Sequence, residues 1–227
     1  MLEEELKSEG KCMFCEQLFS PKEIKKHLVK HLADMEKTDA AGKTQTYCHI
    51  EVVAAEMFLH LLVKGNKKME IIDDFLRGIW LDCCDHMSGF RHKNIEIEMD
   101  EKVKDIFVPK VKIFHDYDYG STTRVFLTGL KYYDLNLKDD IILLSRNEPL
   151  KIMCSICKIK PAVNICSVCL WDRDSVFCES CSKKHEKICN DFDEYSSMPI
   201  VNSPRMGICG YTGGYIDTER DGVYKKT

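Results

Sequence analysis

The sequence predicts an α+β protein, with a central α+β domain between an N-terminal Cys2His2-like zinc finger and a C-terminal two-zinc cross-brace module. Cysteine pairs with the spacing Cys-x-x-Cys occur near both ends of the chain. Between them, apolar side chains with helical spacing are flanked by apolar, strand-like runs. The predicted segments are a finger at residues 1–35, a linker at 36–46, a central domain at 47–150, a cysteine-rich module at 151–192 and a glycine-containing tail at 193–227.

The composition is that of a folded protein without a strong charge bias. Of the 227 residues, 44% are hydrophobic and 31% are charged, and the formal net charge is −4. These values exclude wholesale disorder and a global attraction to nucleic acid. The acidic N-terminus does not resemble a signal peptide, and no apolar run approaches the roughly 20 residues that cross a bilayer. We therefore expect a soluble, cytoplasmic protein without a membrane partner.

Cysteine usage separates two classes of protein. Thirteen cysteines in a secreted chain would indicate disulfides, and the odd number would leave one thiol unpaired. In an intracellular chain, cysteines in Cys-x-x-Cys pairs are typical metal ligands. Eight of the thirteen lie in such pairs. The sequence therefore predicts zinc binding.

The first pair, Cys12 and Cys15, is followed by two histidines, His27 and His31. Histidines four residues apart lie on one face of a helix, where they can complete a tetrahedral zinc site with two thiolates. The pattern resembles the common Cys2His2 finger, although eleven residues separate the two pairs instead of the usual twelve.

Phe19 and Ile24 lie between the two ligand pairs, where a small finger needs its apolar core. Residues 11–31 also carry five lysines and two glutamates, which gives a modest basic face. One finger reads only about three base pairs, too few for useful specificity alone. We therefore favour a structural or protein-contact role, with DNA recognition as the alternative.

The C-terminal module contains four ligand pairs in succession, and the two gaps between the first three pairs are eight residues each. Equal short gaps favour a cross-brace, in which pairs one and three hold one zinc ion and pairs two and four hold the other; pairing of successive pairs is the alternative. The spacing resembles B-box, HIT-type and MYND-type fingers, which mostly mediate protein contacts. The pairs are Cys154/Cys157, Cys166/Cys169, Cys178/Cys181 and His185/Cys189.

The module is expected to bury a thin core between its two metals, formed by Val163, Ile165, Val168 and Phe177. Seven of the eight ligands are thiolates, so both sites are predicted to be closed and structural, with no open position for a catalytic water. Together with the finger, the sequence predicts three zinc ions.

The central domain shows apolar patterns typical of strands and of a helix. Residues 49–63 are apolar enough for one long strand, and residues 69–90 have the spacing of one helical face. Shorter strands are predicted at 110–115, 123–130 and 141–144.

Short motifs in this domain resemble a known family. Trp80 precedes His86-Met-x-x-Phe90, and His115-Asp-Tyr-Asp-Tyr-Gly-Ser-Thr-Thr follows. Together they resemble the Ri-plasmid Orf3-like domain, also described as an insertion-element passenger protein, over residues 47–148. Three positions depart from the family pattern, where Phe, an acidic residue and Trp are usual: Tyr119, Ser121 and Thr123.

A longer subgroup of archaeal and bacterial proteins is similar over the whole chain. The shared motifs include Leu81-Asp-Cys-Cys-x-His86 and Asn202-Ser-Pro-Arg-x-Gly-x-Cys-Gly-Tyr211. The resemblance implies an α+β domain but no particular activity, because the family has no settled biochemistry. It assigns no role to the remaining cysteines, Cys48, Cys83, Cys84 and Cys209.

One group of central residues has catalytic potential. If the end of the helix meets the loop that carries Asp116 and Asp118, then His86 and an aspartate could form a general-base pair or a metal site. The structural interpretation is that His86 caps the helix and that the aspartates form an Asx turn into Gly120.

We therefore favour a zinc-binding, non-enzymatic adaptor that contacts protein, with nucleic acid as the alternative partner. The competing hypothesis is an enzyme that acts on nucleic acid or another phosphate-bearing substrate through His86 and the two aspartates.

Overall fold

The computed structural model describes residues 8–39, 43–170 and 174–222. It has the mixed α+β architecture that the sequence predicts, and it consists mostly of antiparallel sheet with few helices. The backbone contacts divide it into two compact units. The described residues of the larger unit fall within 8–75 and 87–148, and those of the smaller unit within 76–86 and 149–222.

The larger unit contains a nine-stranded antiparallel sheet in the order β2-β1-β9-β4-β3-β8-β7-β5-β6. Its strands are β1 (Gly10–Cys12), β2 (Leu18–Phe19), β3 (Gln45–Ala54), β4 (Met57–Lys64), β5 (Ser88–His92), β6 (Ile95–Ile97), β7 (Lys112–Tyr117), β8 (Thr123–Leu135) and β9 (Ile141–Asn147). The α-helices in the described residues are α1 (Pro21–Asp39), α2 (Glu70–Leu76), α3 (Val103–Ile106) and α4 (Glu179–His185).

Residues 8–39 share a core with this sheet. Strand β1 pairs with β9, and the apolar face of α1 is fully buried at Ile24, Leu28 and Leu32. These side chains belong to one hydrophobic cluster with residues of the sheet, including Tyr47, Phe58, Leu62, Tyr133 and Leu135. The segment predicted as a finger therefore contributes a helix and two strands to the larger unit.

The apolar run at residues 49–63 forms a hairpin of two strands and not one long strand. The chain reverses between β3 and β4 at Ala55, which has a left-handed φ of 50°. No glycine, proline or asparagine marks this turn in the sequence, so the usual hairpin signal is missing.

The helical run predicted at 69–90 ends early. After α2 the chain continues as a π-helical turn at Arg77–Leu81 and then enters β5 at Ser88. At Gly78 the tail of the smaller unit lies so close that an added Cβ would approach Ile216 to 2.7 Å. The Gly78 carbonyl also accepts hydrogen bonds from the backbone N–H groups of Tyr215 and Ile216. The tail therefore packs closely against the chain at the point where the α-helix changes to the wider π-helical turn.

The smaller unit has little regular structure. A three-stranded antiparallel sheet in the order β11-β10-β12 is formed by β10 (Asn164–Cys166), β11 (Val176–Phe177) and β12 (Ser197–Pro199). Of the side chains predicted for its core, Ile165 and Phe177 are buried, but Val168 is 55% exposed. Ile165 packs with Ala162, Met198 and Ile200 instead, because β12 covers that face of the small sheet.

In the described residues, no helix combines the length and the apolar character that a membrane crossing requires.

A buried histidine pair lies on the adjacent strands β3 and β4. His49 Nε2 and His60 Nδ1 are 3.0 Å apart, and both residues are fully buried. Burial lowers the pKa of His49 to about 4. Burial, with the charges of His49 and Lys25, holds the pKa of His60 well below its usual value. Both rings are therefore neutral in the folded sheet at pH 7.

The free energy of unfolding is expected to fall between pH 6.5 and pH 4 because of this pair. The unfolded histidines take up protons below a pKa of about 6.5, whereas folded His49 does so only near pH 4. The unfolded state therefore binds more protons in this window, and His49 alone costs about 2 kcal/mol of stability at pH 5.

Denaturant unfolding at pH 7, 6 and 5 measures this loss. The control is the double variant His49→Gln and His60→Gln, which keeps all predicted metal ligands and titrates at neither position. We expect its stability to depend less steeply on pH, and identical slopes for the two proteins would contradict the prediction.

Candidate metal centres

Sixteen cysteine and histidine side chains come together in four clusters of four, and within each cluster the ligand atoms lie within 4.8 Å of one another. The finger cluster is Cys12, Cys15, His27 and His31; the first module cluster is Cys154, Cys157, Cys178 and Cys181; the second module cluster is Cys166, Cys169, His185 and Cys189; and the tail cluster is Cys83, Cys84, His86 and Cys209.

Nearly all the cysteines of the chain are used in this way. All thirteen lie in the described residues, and twelve of them belong to a cluster. Cys48 is the exception, and burial in β3 raises the pKa of its thiol to about 12. The distribution is compatible with metal binding, because all but one of the cysteines lie where a four-ligand site could form.

The finger cluster is assembled by the β1–β2 hairpin and α1. The Cys12 carbonyl accepts a hydrogen bond from the N–H of Glu16, whose left-handed φ of 62° closes the knuckle around Cys15. Helix α1 then presents His27 and His31 from successive turns. Cys15 Sγ lies 3.2 Å from His27 Nε2, which lies 3.0 Å from His31 Nε2.

The start of α1 and the packing of its histidines follow from local sequence. The backbone N–H and hydroxyl of Ser20 both donate to Glu23 Oε2, as in a capping box. The ring of Phe19 stacks on His27 at a centroid distance of 4.1 Å, and Phe14 lies 5.2 Å from His31. Aromatic contacts thus support both imidazoles.

The module clusters interleave the four ligand pairs of the sequence. Pair one joins pair three, with Cys157 Sγ 3.8 Å from Cys178 Sγ. Pair two joins pair four, with Cys166 Sγ 3.9 Å from Cys189 Sγ. No cluster in the described residues combines successive pairs.

Short elements place these ligands. Cys154 and Cys157 flank a tight knuckle, in which Lys158 has a left-handed φ of 56°. Cys178 is the residue before α4, and Cys181 lies in its first turn. At the other end of α4, the His185 carbonyl accepts a hydrogen bond from the N–H of Cys189. One short helix therefore contributes to both clusters.

An aromatic side chain links the two module clusters. Phe177 is fully buried and stacks on His185 at a centroid distance of 4.2 Å. Phe192 contacts both rings edge-on, at 6.0 and 4.9 Å. Apart from these two aromatic residues, this hydrophobic cluster consists of ligand cysteines.

Each module cluster pairs an acidic thiol with a weakly acidic one. A hydrogen bond from Ser180 lowers the pKa of Cys178 to about 6, whereas burial raises the pKa of Cys181 to about 12. Burial also raises the pKa of Cys166, but hydrogen bonds with Ser196 and His185 outweigh it and lower the value to about 7. At least one thiol in each module cluster therefore has a lowered pKa, which favours the thiolate form that binds metal.

The tail cluster is the site that the sequence did not predict. Its fourth ligand, Cys209, lies more than 120 residues after the other three. The sequence assigned no role to Cys83, Cys84 or Cys209, and no local spacing connects the Cys-Cys-x-His motif to Cys209.

The three residues considered as catalytic are placed as follows. His86 belongs to the smaller unit, and its Nε2 lies among the thiols of the tail cluster. Asp116 and Asp118 belong to the larger unit. Asp118 Oδ1 accepts hydrogen bonds from the N–H groups of Gly120 and Ser121, which is the Asx turn of the structural interpretation.

Asp116 is bound by two arginines of the same sheet. Its Oδ2 accepts from Arg91 Nε at 3.1 Å and from Arg124 Nη2 at 3.0 Å, and Oδ1 accepts from Arg124 Nε. Burial raises the pKa of this carboxyl, but the hydrogen bonds from the arginines outweigh it and lower the pKa below its ordinary value. These bonds stabilise the ionised carboxylate and give Asp116 a structural role. The catalytic role of His86, Asp116 and Asp118 stays a prediction.

No protein-family model and no curated protein matches this chain. Among solved structures, it is similar to a protein of unknown function from Methanosarcina mazei Go1, MM3350, with a TM-score of 0.38 and 11% sequence identity. The similar region covers 46% of this chain and 68% of that chain. A similarity this weak carries no argument about function.

Proposed function

We propose that this protein is a zinc-binding interaction protein whose zinc ions are structural. The observation that carries the proposal is the convergence of the three predicted ligand sets, each with four ligand atoms within 4.8 Å. Four protein ligands saturate a tetrahedral zinc ion and leave no position for a catalytic water. We therefore favour an adaptor over an enzyme.

The distances within these clusters fit zinc. Sulfur atoms that lie about 2.3 Å from one tetrahedral zinc ion are about 3.8 Å apart. Two sulfur pairs that bridge the ligand pairs in the module clusters are 3.8 and 3.9 Å apart. The two sulfur atoms of a disulfide are bonded at about 2.0 Å, so these longer separations are not those of disulfides. Thiolate and imidazole ligands in a tetrahedral arrangement select zinc over magnesium or calcium.

The packing of α1 favours protein over DNA as the partner of the N-terminal segment. A Cys2His2 finger reads DNA by placing its helix in the major groove. Here Ile24, Leu28 and Leu32 face the core of the sheet. The end of the helix is also fixed, because Glu36 and Asp39 accept hydrogen bonds from the backbone of β8 and the residue that follows it.

The cysteine-rich module offers side chains suited to a protein contact. Three apolar side chains lie within two residues of cluster cysteines in the sequence and are 52%, 79% and 81% exposed: Ile156, Ile159 and Ile188. Zinc ligation can hold such apolar side chains at the surface of a unit with a small core. We propose this module as the region that contacts a protein partner.

Zinc content tests the metal part of the proposal. Elemental analysis of protein from zinc-replete culture is expected to return at least three zinc ions per chain. Cys12→Ser, Cys154→Ser and Cys166→Ser are each expected to remove one ion, since each deletes a ligand from a different cluster. The Cys48→Ala control should lose none, and a wild-type content of one ion or none would contradict the proposal.

Partner capture from the native host tests the adaptor part. Bait protein should retain its partner after nuclease treatment of the lysate, and the double variant Ile156→Glu and Ile159→Glu should lose it. Ile95→Glu is the matched control, because Ile95 is equally apolar and 70% exposed but lies in the larger unit. Loss of all captured material after nuclease treatment would indicate a nucleic-acid partner instead.

A further inference from the structure

The tail cluster is the fourth group of ligand atoms and lies entirely within the smaller unit. Cys84 Sγ is 3.8 Å from Cys83 Sγ and 3.6 Å from Cys209 Sγ. His86 Nε2 lies 2.9 Å from Cys84 Sγ and 3.2 Å from Cys209 Sγ. These separations are close to those within the other three clusters, so that one tetrahedral ion accounts for all four side chains.

Hydrogen bonds hold the first three ligands in a compact loop. The N–H of Asp85 donates to Asp82 Oδ1, and Asp85 itself has a left-handed φ of 58°. Arg77 Nη2 donates to the carbonyl of His86 at 2.7 Å, and Arg77 Nη1 lies 3.3 Å from Asp85 Oδ1. The loop therefore folds back toward the π-helical turn, and the thiols of Cys83 and Cys84 and the imidazole of His86 lie together.

The fourth ligand is delivered by the tail, which is attached to the same segment on both sides of Cys209. Before it, the Ser203 hydroxyl donates to the Trp80 carbonyl at 2.6 Å. After it, Tyr215 and Ile216 donate their N–H groups to the Gly78 carbonyl at 2.8 and 3.0 Å. Cys209 is therefore held beside the loop by hydrogen bonds that the tail forms on both sides of it.

A buried cation adjoins the cluster. Arg205 is fully buried, and its Nη2 lies 3.5 Å from Cys83 Sγ. Three thiolates and one neutral imidazole around a divalent zinc ion leave a net charge of −1, and a guanidinium that donates to a sulfur offsets it.

We infer that Cys83, Cys84, His86 and Cys209 bind a fourth zinc ion, which fastens the tail at residues 203–216 to the segment at 78–86. A single ion fits better than an iron–sulfur cluster, because the ligand atoms surround a space only wide enough for one metal. Cys84 and Cys209 are solvent-exposed, unlike most ligands of the other clusters. The fourth ion is therefore the one that exchanges most readily with solvent.

Native mass spectrometry of the full chain tests this site. We expect four zinc ions in the wild-type protein and three in Cys209→Ser, with four retained in the Cys48→Ala control. Cys84→Ser provides a second variant at an exposed position, in case Cys209→Ser does not fold. Hydrogen exchange should report faster exchange of residues 203–216 in both tail-cluster variants and unchanged exchange at the module clusters.

The possible results separate this inference from the proposed function. Three zinc ions in both the wild-type protein and Cys209→Ser would overturn the fourth site and leave the other three intact. A wild-type mass lower by two hydrogens, with Cys84 and Cys209 joined by a disulfide, would also overturn it. Iron in the sample in place of a fourth zinc ion would show that the choice of metal is wrong.

Discussion

Removal of zinc with a chelator is expected to unfold residues 154–192 while the nine-stranded sheet of the larger unit stays folded. The hydrophobic cluster around the two module sites consists of ligand cysteines and only two other residues, Phe177 and Phe192. A structural zinc site contributes about 10–16 kcal/mol to folding, which is comparable to the total stability of a typical domain, about 5–15 kcal/mol. Without metal, this part of the smaller unit has too little buried apolar surface to remain folded.

The finger cluster is expected to respond differently. Strand β1 pairs with β9, and α1 shares a buried core with β3, β4 and β8. Loss of metal should therefore loosen the β1–β2 hairpin and leave most of α1 in place. This expectation differs from that for an isolated finger, which unfolds completely without its zinc ion.

Hydrogen exchange before and after chelation measures both effects. Amides of β10, α4 and the knuckle at 154–158 should lose protection, whereas those of β3, β4 and β8 should keep it, and added zinc should restore the original pattern. A single transition in which the sheet and the module lose protection together would show that zinc supports the whole chain.

Local spacing explains how much of these sites the sequence could predict. Each Cys-x-x-Cys pair and the His27/His31 pair comes from one turn of chain, so that its members converge whatever the rest of the protein does. The strands predicted from apolar patterns at 110–115, 123–130 and 141–144 overlap the observed strands at 112–117, 123–135 and 141–147. The α+β class follows from these same local signals.

The features that were missed depend on contacts between distant residues. Cys209 meets Cys84 across 125 positions, and nothing near either residue marks the other. The attachment of α1 to the sheet similarly requires Leu28 and Leu32 to pack with residues of other strands. Both the tail cluster and the shared core are products of tertiary structure, which periodicity and spacing do not encode.

Loss of a single ligand is expected to separate the two module sites. Cys189→Ser removes one of four ligands from the second module cluster, and the zinc affinity there should fall more than about 100-fold, since even changes that only support a ligand cost 10–100-fold. The first module cluster keeps all four thiolates. Cys181→Ser is the reciprocal variant, because Cys181 lies on the same α4 but belongs to the other cluster.

Alkylation of the folded proteins, followed by peptide mass mapping, identifies which thiols each variant releases, because a thiolate bound to zinc is protected from the reagent. In Cys189→Ser we expect modification of Cys166 and Cys169, with Cys178 and Cys181 still protected. In Cys181→Ser the pattern should reverse, with Cys154, Cys157 and Cys178 modified and Cys166 and Cys169 protected. If successive pairs shared a metal, Cys189→Ser would instead expose Cys178 and Cys181, because those thiols would have lost their partner. The same four thiols therefore report opposite outcomes for the two connectivities, and the interleaved clusters of the structure predict that Cys178 and Cys181 remain bound.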